Sequence, residues 1–572
     1  MSGPTVVIDR LSATLRHDPA EAPPAADRLR GPLRHAVGGA LESALRGLVL
    51  PPGHWCLARL DLTLDLDLAR PDPALARDWS QAVAAAIERT VQEGRAAAPG
   101  ALVHYRHDVE LLADAVAGLA AGRRERLWAW RQTGILRPGD PAPDAAPGPA
   151  LLAALERHPQ YAAAAVLRAA EDCGLAALDR AWGRAGWQRL AALVAPEEPG
   201  MGAPDPGTRA LARTLLAGSR LAGLVRASRL RPAEPTPDAW ALLVLAETDP
   251  AALERPAARA GLRALLAEGL RTLAGGPTRP APEPDPRIGE LPDGGCAGCA
   301  GCGGCTADGG RCAGAGCAAH AGCDRDAGRG TCAGGAGCAG DGGPASGADG
   351  AGAPPGRDAP PQGPPSADPP RAGADGSGPA PGGLAAGDSA ARAPVRPEPG
   401  PHPPGGAATG WAGLLFLLAT AAEAGLPDRV LAEPALAARP LPWVLHTAAR
   451  ALCGLEPEDP AALALAGLGP DRAAGLLRAA PATPSEQAAV SALAADWARA
   501  TAARLGDERY ADDPFGAVAA VARRPGRITA ETGWIEVHLA AADTDLAVRR
   551  AGLDLDPGWV GWLGAVVRYR YV

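Results

Sequence analysis

The chain has 572 residues, 56 basic and 64 acidic side chains, and a formal net charge of −8. Such a length predicts roughly two to four domains, and an acidic balance without basic runs argues against a nucleic-acid partner. There is no lysine and no asparagine, so every basic residue is arginine.

The most apolar run, residues 411–426, contains an uninterrupted apolar stretch of about 12 residues, shorter than the roughly 20 that cross a bilayer. It predicts a buried helix. No secretory signal is visible at the N-terminus. We therefore expect a cytoplasmic protein without a membrane partner, whose thiols stay reduced.

Composition divides the chain into four parts: an N-terminal α+β module, a helical region, a linker and a C-terminal helical module that ends in strands. Their predicted bounds are 1–100, 101–275, 276–410 and 411–572.

The first part opens with β-branched residues near Ile8, which predict a short strand, and continues with a helix over about 25–48. Leucines then alternate with polar residues from Leu60 through Leu62 and Leu64 to residue 68. This period of two predicts a strand with one buried face. A further helix is predicted over about 76–93.

The second part has helical periodicity between proline and glycine breaks. Its predicted helices cover 151–173, 175–194, 209–230, 239–247 and 257–273.

The third part is predicted to be a long disordered linker. Between Leu291 and Gly410 there are 34 glycines, 18 prolines and no aromatic residue. Such a stretch buries too little apolar surface to offset the entropy lost on ordering.

The last part is predicted to be helical and to end in the strands 534–539 and 566–571. Its predicted helices cover 412–424, 443–453, 460–468, 472–479 and 485–505.

The fold class that follows is α+β and mostly α-helical, with a long disordered central linker. We expect a small mixed β-sheet built from N- and C-terminal strands, those near Ile8, Leu62, Val537 and Val567.

Nine of the twelve cysteines lie between Cys296 and Cys338, and the first four, Cys296, Cys299, Cys302 and Cys305, are three residues apart. Four thiolates at this spacing are weak candidates for zinc or an iron–sulfur cluster. Their spacers are almost wholly alanine and glycine, which leaves no wall to orient the ligands. Three alternatives remain open: a structural metal site, adventitious metal binding, and a low-complexity linker sequence with no metal role.

No pattern in the sequence predicts an enzyme or a small-molecule substrate. There is no H-E-x-x-H or G-x-S-x-G motif, and a phosphate-binding P-loop lacks its lysine. His104 and His107, beside Asp108, are more typical of a surface or helix-start role than of metal ligation. Cys56, Cys173 and Cys453 lie among apolar residues and are expected to fill the core.

The two ends of the chain resemble the tape-measure proteins of contractile injection systems, which are phage-tail-like particles. At the N-terminus the resemblance rests on a short I-x-R-L strand and a strand of alternating leucine and aspartate. The matching residues are Ile8, Arg10, Leu11, Leu60, Leu62 and Leu64.

At the C-terminus the chain is similar to the family pattern R-x-x-G-L-D-x-D-P-G-W-x-P-W-L-G, with glycine at position 561 where that pattern has its second proline. The matching residues are Gly552, Leu553, Asp554, Asp556, Pro557, Gly558, Trp559, Trp562, Leu563 and Gly564. The resemblance covers roughly the first 100 and the last 160 residues.

The physical chemistry of this ending can also be read directly. Trp559 and Trp562 are three residues apart, which would place both on one helical face. Pro557 suits the first position of such a helix, and Gly564 suits its end. A segment that closes a core and a docking surface for another protein are both consistent with it.

The resemblance implies a non-enzymatic protein that sets the length of the inner tube and sheath, with inner-tube and baseplate proteins as partners. Whether it is incorporated into the assembled particle stays open at this point. Two alternatives remain open: a metal- or redox-responsive binding protein acting through the cysteine-rich linker, and an assembly scaffold or chaperone that does not set length.

Overall fold

The computed structural model describes residues 6–8, 31–48, 50–65, 69–94, 102–195, 205–228, 230, 236–275 and 406–572. One compact unit comprises Met1–Ala281 together with Pro397–Val572. The second unit, Pro282–Arg396, lies wholly outside the described residues. The predicted N-terminal module, helical region and C-terminal module therefore belong to a single unit, together with both ends of the predicted linker.

The described residues up to 275, called the N-terminal flank here, are mainly helical, and those from 406 onward form the C-terminal flank. After helical residues 31–35 and a π-helical turn at Ala36–Ala40, its helices are α1 (Leu41–Arg46), α2 (Asp72–Gly94), α3 (Asp108–Ala120), α4 (Leu127–Gln132), α5 (Pro147–Arg157), α6 (Pro159–Cys173), α7 (Leu175–Val194), α8 (Pro206–Gly218), α9 (Arg220–Ser228), α10 (Thr236–Thr248) and α11 (Pro256–Gly275).

Two predicted helices of this flank are each divided in two. Pro159 begins α6 and so ends the predicted helix 151–173 after Arg157, because proline lacks the N–H that a helix interior needs. The predicted helix 209–230 breaks at Ser219, whose hydroxyl accepts the Ala222 N–H and donates to Glu247. The predicted helix 175–194 has the expected bounds, with a kink at Gly183.

The N-terminal core is built around tryptophans. Trp187 is fully buried and meets Trp182 and Trp240 edge to face, with ring centroids 4.9 and 6.0 Å apart. Its indole N–H donates to Asp179 at 2.9 Å. Strands β1 (His54–Leu57) and β2 (Leu102–Tyr105) form a two-stranded antiparallel sheet at the edge of this core.

The C-terminal flank combines helices with a five-stranded sheet. Its helices are α12 (Asp428–Ala432), α13 (Leu441–Cys453), α14 (Pro460–Leu465), α15 (Ala474–Leu477), α16 (Pro484–Leu505), α17 (Pro514–Ala522) and α18 (Leu546–Arg550). Its strands are β3 (Ala407–Thr409), β4 (Gly526–Glu531), β5 (Trp534–Leu539), β6 (Gly558–Val560) and β7 (Ala565–Tyr571).

The five strands are ordered β3-β4-β5-β7-β6 and form a mixed sheet, because β5 and β7 are parallel and the other neighbours antiparallel. Along β5, Ile535, Val537 and Leu539 are buried, as their period of two predicts. The apolar run before α12 is buried as expected, although Ala412–Thr420 is a 3₁₀ helix.

The fold class is α+β and mostly helical, as predicted, but the two ends contribute strands to different sheets. Val537 and Val567 lie on the paired strands β5 and β7. Ile8 is exposed and in no strand, and residues 60–65 are in no strand, so the predicted strands there are wrong for the described residues. Residues 66–68 of the second strand lie outside them.

The predicted linker also ends earlier than expected. Ala407–Thr409 pairs with Gly526–Ile528 as the edge strand β3. The sequence does not predict this strand, because its residues are alanine and threonine beside glycine and do not alternate between apolar and polar side chains. The rest of the predicted linker, 276–405, lies outside the described residues. None of the described helices combines the length and apolar character that a membrane crossing requires.

Candidate functional site

The family-like segment 552–564 forms the outer edge of the five-stranded sheet. Gly552 follows α18 with a φ of +69°, a left-handed conformation that favours glycine. Leu553 is fully buried, and the next side chain, Asp554, is also buried. Asp554 accepts the Tyr571 hydroxyl at 3.0 Å and pairs with Arg549 at 2.8 Å. This aspartate therefore fixes the last strand rather than facing a ligand.

Asp556 protects the part of β7 that β6 does not cover. Strand β6 pairs only with Ala565–Val567. Beyond it, the carboxylate of Asp556 accepts the backbone N–H of Tyr569 at 2.6 Å and a hydrogen bond from Arg568 at 3.1 Å. The side-chain oxygen of Asp556 takes the place of the carbonyl of a neighbouring strand. It therefore satisfies a backbone N–H on a sheet edge that would otherwise be open to pairing with another strand.

The two tryptophans of the segment do not share a helical face, so that prediction is wrong. Trp559 lies in β6, and Trp562 lies in the 3₁₀ turn Gly561–Leu563. Pro557 precedes β6 and starts no helix, because Gly558, with a φ of +70°, turns the chain into the sheet. A spacing of three residues between two tryptophans cannot distinguish a shared helical face from a strand followed by a 3₁₀ turn.

Trp559 and Leu563 tie this edge to the rest of the unit. The Trp559 ring meets Tyr161 of α6 edge to face at 6.2 Å, while 38% of the residue stays exposed. Leu563 is buried in the C-terminal core. Gly564 ends the turn as predicted, with a φ of +65° and a close approach to Pro250.

Replacing Gly564 with alanine should lower the free energy of unfolding by about 2–4 kcal/mol. Left-handed backbone costs a non-glycine residue about 1 kcal/mol, and overpacking adds about 1–3. The new Cβ would lie 2.6 Å from Pro250 Cγ. Gly506 is a matched control with the same φ of +65° and no atom within 4 Å, so Gly506→Ala should cost only about 1 kcal/mol. Equal losses in urea titrations of the two variants would contradict this packing.

The N-terminal family-like residues are not gathered into this site. Leu60, Leu62 and Leu64 are half-buried, and Ile8 is exposed. Arg10 and Leu11 lie outside the described residues.

A charged junction joins the N-terminal helices to the sheet. Glu531, at the β4–β5 turn, accepts hydrogen bonds from Arg106, one of them at 3.0 Å, and from Arg168 at 2.7 Å. Burial acts to raise the pKa of Glu531, but His107, Arg106 and Arg168 outweigh it and hold this pKa below its usual value. Three positive or protonatable groups of one flank thus meet a single carboxylate of the other.

His107 has the predicted helix-start role. Its Nδ1 accepts the Glu110 N–H at 3.2 Å and so caps α3. Its ring stacks on Trp534 at 4.4 Å, and its Nε2 lies 3.6 Å from Glu531. Burial lowers the pKa of His107. His104 instead stacks on Trp55 at the surface of the two-stranded sheet.

Asp249 is a buried acid between the flanks. It is 1% exposed, and its Oδ2 accepts the Leu441 N–H at the start of α13 at 3.5 Å. Its Oδ1 has no hydrogen-bond partner in the structure. Burial raises the pKa of Asp249 to about 7.

Beside Glu531 is a cleft of about 880 Å³ between the N-terminal helices and strand β4. Its charged side chains largely satisfy one another. Arg106 pairs with Glu110 at 3.2 Å, and Arg220 pairs with Glu171 at 3.2 Å and Asp471 at 2.7 Å. Because Arg220 and Asp471 belong to different flanks, their ion pair helps to join the flanks across this cleft.

In the part of the chain that the structure describes, no group of three or more His, Cys, Asp or Glu side chains is arranged to hold a metal. Cys296, Cys299, Cys302 and Cys305 lie outside it, so zinc or iron–sulfur binding there stays a prediction. Cys56 is buried, and Cys173 and Cys453 are half-buried, all as free thiols.

No sequence pattern points to Glu531 or Asp249, because their partners are hundreds of residues away or are backbone groups. Comparisons of the chain with protein-family models, curated proteins and solved structures find no match.

Proposed function

We propose that this chain is a non-enzymatic assembly protein of a contractile injection system, similar to the tape measure that sets inner-tube and sheath length. Its partners are inner-tube and baseplate proteins, and it acts in the cytoplasm, where it joins the growing particle. No catalytic step is assigned to it.

One observation carries this proposal: exposed large apolar side chains concentrate near the two ends. Among the described residues they are Val6, Val7, Ile8, Leu477, Phe515, Leu546, Leu555, Trp559 and Val572. Seven of these nine lie within residues 6–8 or 546–572. Exposed apolar side chains favour protein contacts, so this distribution supports docking through the termini.

The fold limits which residues can act as a ruler. Both flanks of the central residues belong to one compact unit, so the folded residues cannot also supply contour length. Residues 276–405 remain, a stretch of 130 residues. A loop of this size that leaves and rejoins one body reaches at most roughly 210 Å, at about 3.3 Å per residue. In our proposal the folded unit docks and this loop contributes the length.

Deleting residues 341–390 should shorten the particles by roughly 80 Å, because half of the lost contour counts in an out-and-back loop. Electron microscopy of particles from the native and deleted genes measures this. A glycine–serine replacement of the same length is the control and should restore native length. Fewer particles of unchanged length would instead favour a scaffold or chaperone.

A further inference from the structure

The eight residues after strand β1 have unused backbone hydrogen-bonding groups. Residues 58–65 are in neither sheet, and none of the described backbone hydrogen bonds involves them. Within the described part of the chain, the side-chain hydrogen bond of this segment links Arg59 to Asp61 at 2.8 Å. A segment with free N–H and C=O groups is a template for pairing with another strand.

The side chains of this segment are already sorted between two faces. Leu60, Leu62 and Leu64 are half-buried, whereas Asp61 and Asp65, like the threonine between them, are exposed. The apolar face is thus half-buried and the polar face is exposed, the sorting of side chains seen on a strand with one buried face. In the described part of the chain the neighbouring sheet has two strands, and small sheets gain stability from further strands.

We propose that Leu60–Asp65 binds an extended strand of a partner protein, whose side chains alternate between apolar residues and arginine or lysine. Main-chain hydrogen bonds would provide affinity, as in other cases of strand addition. Residues opposite each other on paired strands share a face, so apolar residues would meet the leucines and cations would meet Asp61 and Asp65. This inference deepens the proposed assembly function by naming the chemistry of a partner.

A second copy of this chain is a poor occupant. In antiparallel self-pairing centred on Thr63, Asp61 faces Asp65 twice, and in parallel in-register pairing each aspartate faces its own copy. In the antiparallel register centred on Leu62, Asp65 would face Arg59, which is already hydrogen-bonded to Asp61 at 2.8 Å. Like charges directly opposite each other destabilise a strand pair. Charge complementarity therefore favours a different protein with a basic strand.

The test uses the purified full chain and two synthetic nine-residue peptides, one alternating valine with arginine and one alternating valine with glutamate. Hydrogen exchange followed by mass spectrometry reports on the amides of residues 60–65. We expect these amides to exchange at the rate of unstructured peptide in the free chain. The valine–arginine peptide should slow them at least tenfold, and the valine–glutamate peptide should leave them unchanged.

Two variants show whether the backbone carries the binding. Thr63→Pro removes one N–H and should weaken peptide binding at least tenfold at an unchanged melting temperature, because no internal hydrogen bond is lost. Thr63→Ala keeps the N–H and should bind like the native chain.

Three results would overturn the proposal: amides protected in the free chain at every concentration, equal protection by both peptides, or protection that rises with protein concentration alone. The last would identify a second copy as the occupant. None of these results depends on particle length, so this inference and the proposed function can fail separately.

Discussion

Replacing Glu531 with glutamine should lower the free energy of unfolding by about 2–3 kcal/mol at pH 7. The carboxylate is 24% exposed and neutralises Arg106 and Arg168, and the latter is itself only 20% exposed. The Arg106 side chain is 46% exposed, but removing the carboxylate leaves the more buried Arg168 uncompensated, which costs more than an exposed pair is worth. Urea denaturation of both proteins measures the difference.

The surface pair of Glu423 with Arg504 is a matched control. Their side chains are 43% and 45% exposed, so Glu423→Gln should change stability by less than about 1 kcal/mol. Equal losses in the two variants would show that Glu531 has no special role at the junction.

The effect of Glu531 should also depend on pH. Because its folded-state pKa lies below the ordinary 4.5, the carboxylate stabilises the fold above that pH. This contribution disappears as the pH falls from about 4.5 toward the folded-state pKa. The native and Glu531→Gln proteins should therefore converge in stability on acidification.

Replacing Asp249 with asparagine should stabilise the protein, and more so at alkaline pH. Burial raises the pKa of Asp249 from 3.8 to about 7, so the folded chain holds a proton that the unfolded chain has already lost. Native stability contributed by this group therefore falls as the pH rises from about 4 to about 7. The variant has no such penalty, so its advantage should grow by roughly 2–3 kcal/mol between pH 5 and pH 8.

Asp205 provides the control for this prediction. It is an exposed helix cap that accepts the Thr208 N–H, and this hydrogen bond lowers its pKa. Asparagine caps helices about as well as aspartate, so Asp205→Asn should leave the stability profile between pH 5 and pH 8 nearly unchanged. A flat difference between native and Asp249→Asn proteins over this range would contradict a buried acid at that position.

Local sequence signals were sufficient where local physics decides the structure. Proline and glycine breaks located most helices, and α7 has the predicted bounds. Alternating β-branched residues located β5. These signals work because proline geometry and the period of side chains along a strand do not depend on distant residues.

The failures occurred where a distant partner decides. The alternation from Leu60 to Leu64 correctly separates half-buried from exposed side chains, yet it cannot supply a strand to pair with. Asp554 and Asp556 are typical turn residues in sequence, but both bind the last strand. Periodicity shows which face is buried; tertiary contacts determine what covers it.

The family-like residues of the C-terminal segment have structural roles in holding the end of the chain. Gly552 and Gly564 provide left-handed turns, and Asp554 and Asp556 hold β7. These roles are structural and hold whether or not a partner binds. Trp559 combines a contact to Tyr161 with an exposed edge, and Leu555 of the same segment is 60% exposed.

We expect the two flanks to form one folded unit that does not need residues 282–396. Removing those residues leaves 276–281 and 397–405, which can bridge up to about 50 Å at 3.3 Å per residue. Calorimetry of the full chain and of this deletion variant measures whether those residues contribute to folding. We predict that every thermal transition of the full chain recurs in the variant within about 2 °C. Loss of a transition, or a decrease of 10 °C or more in its temperature, would show that residues 282–396 are needed for the folded unit.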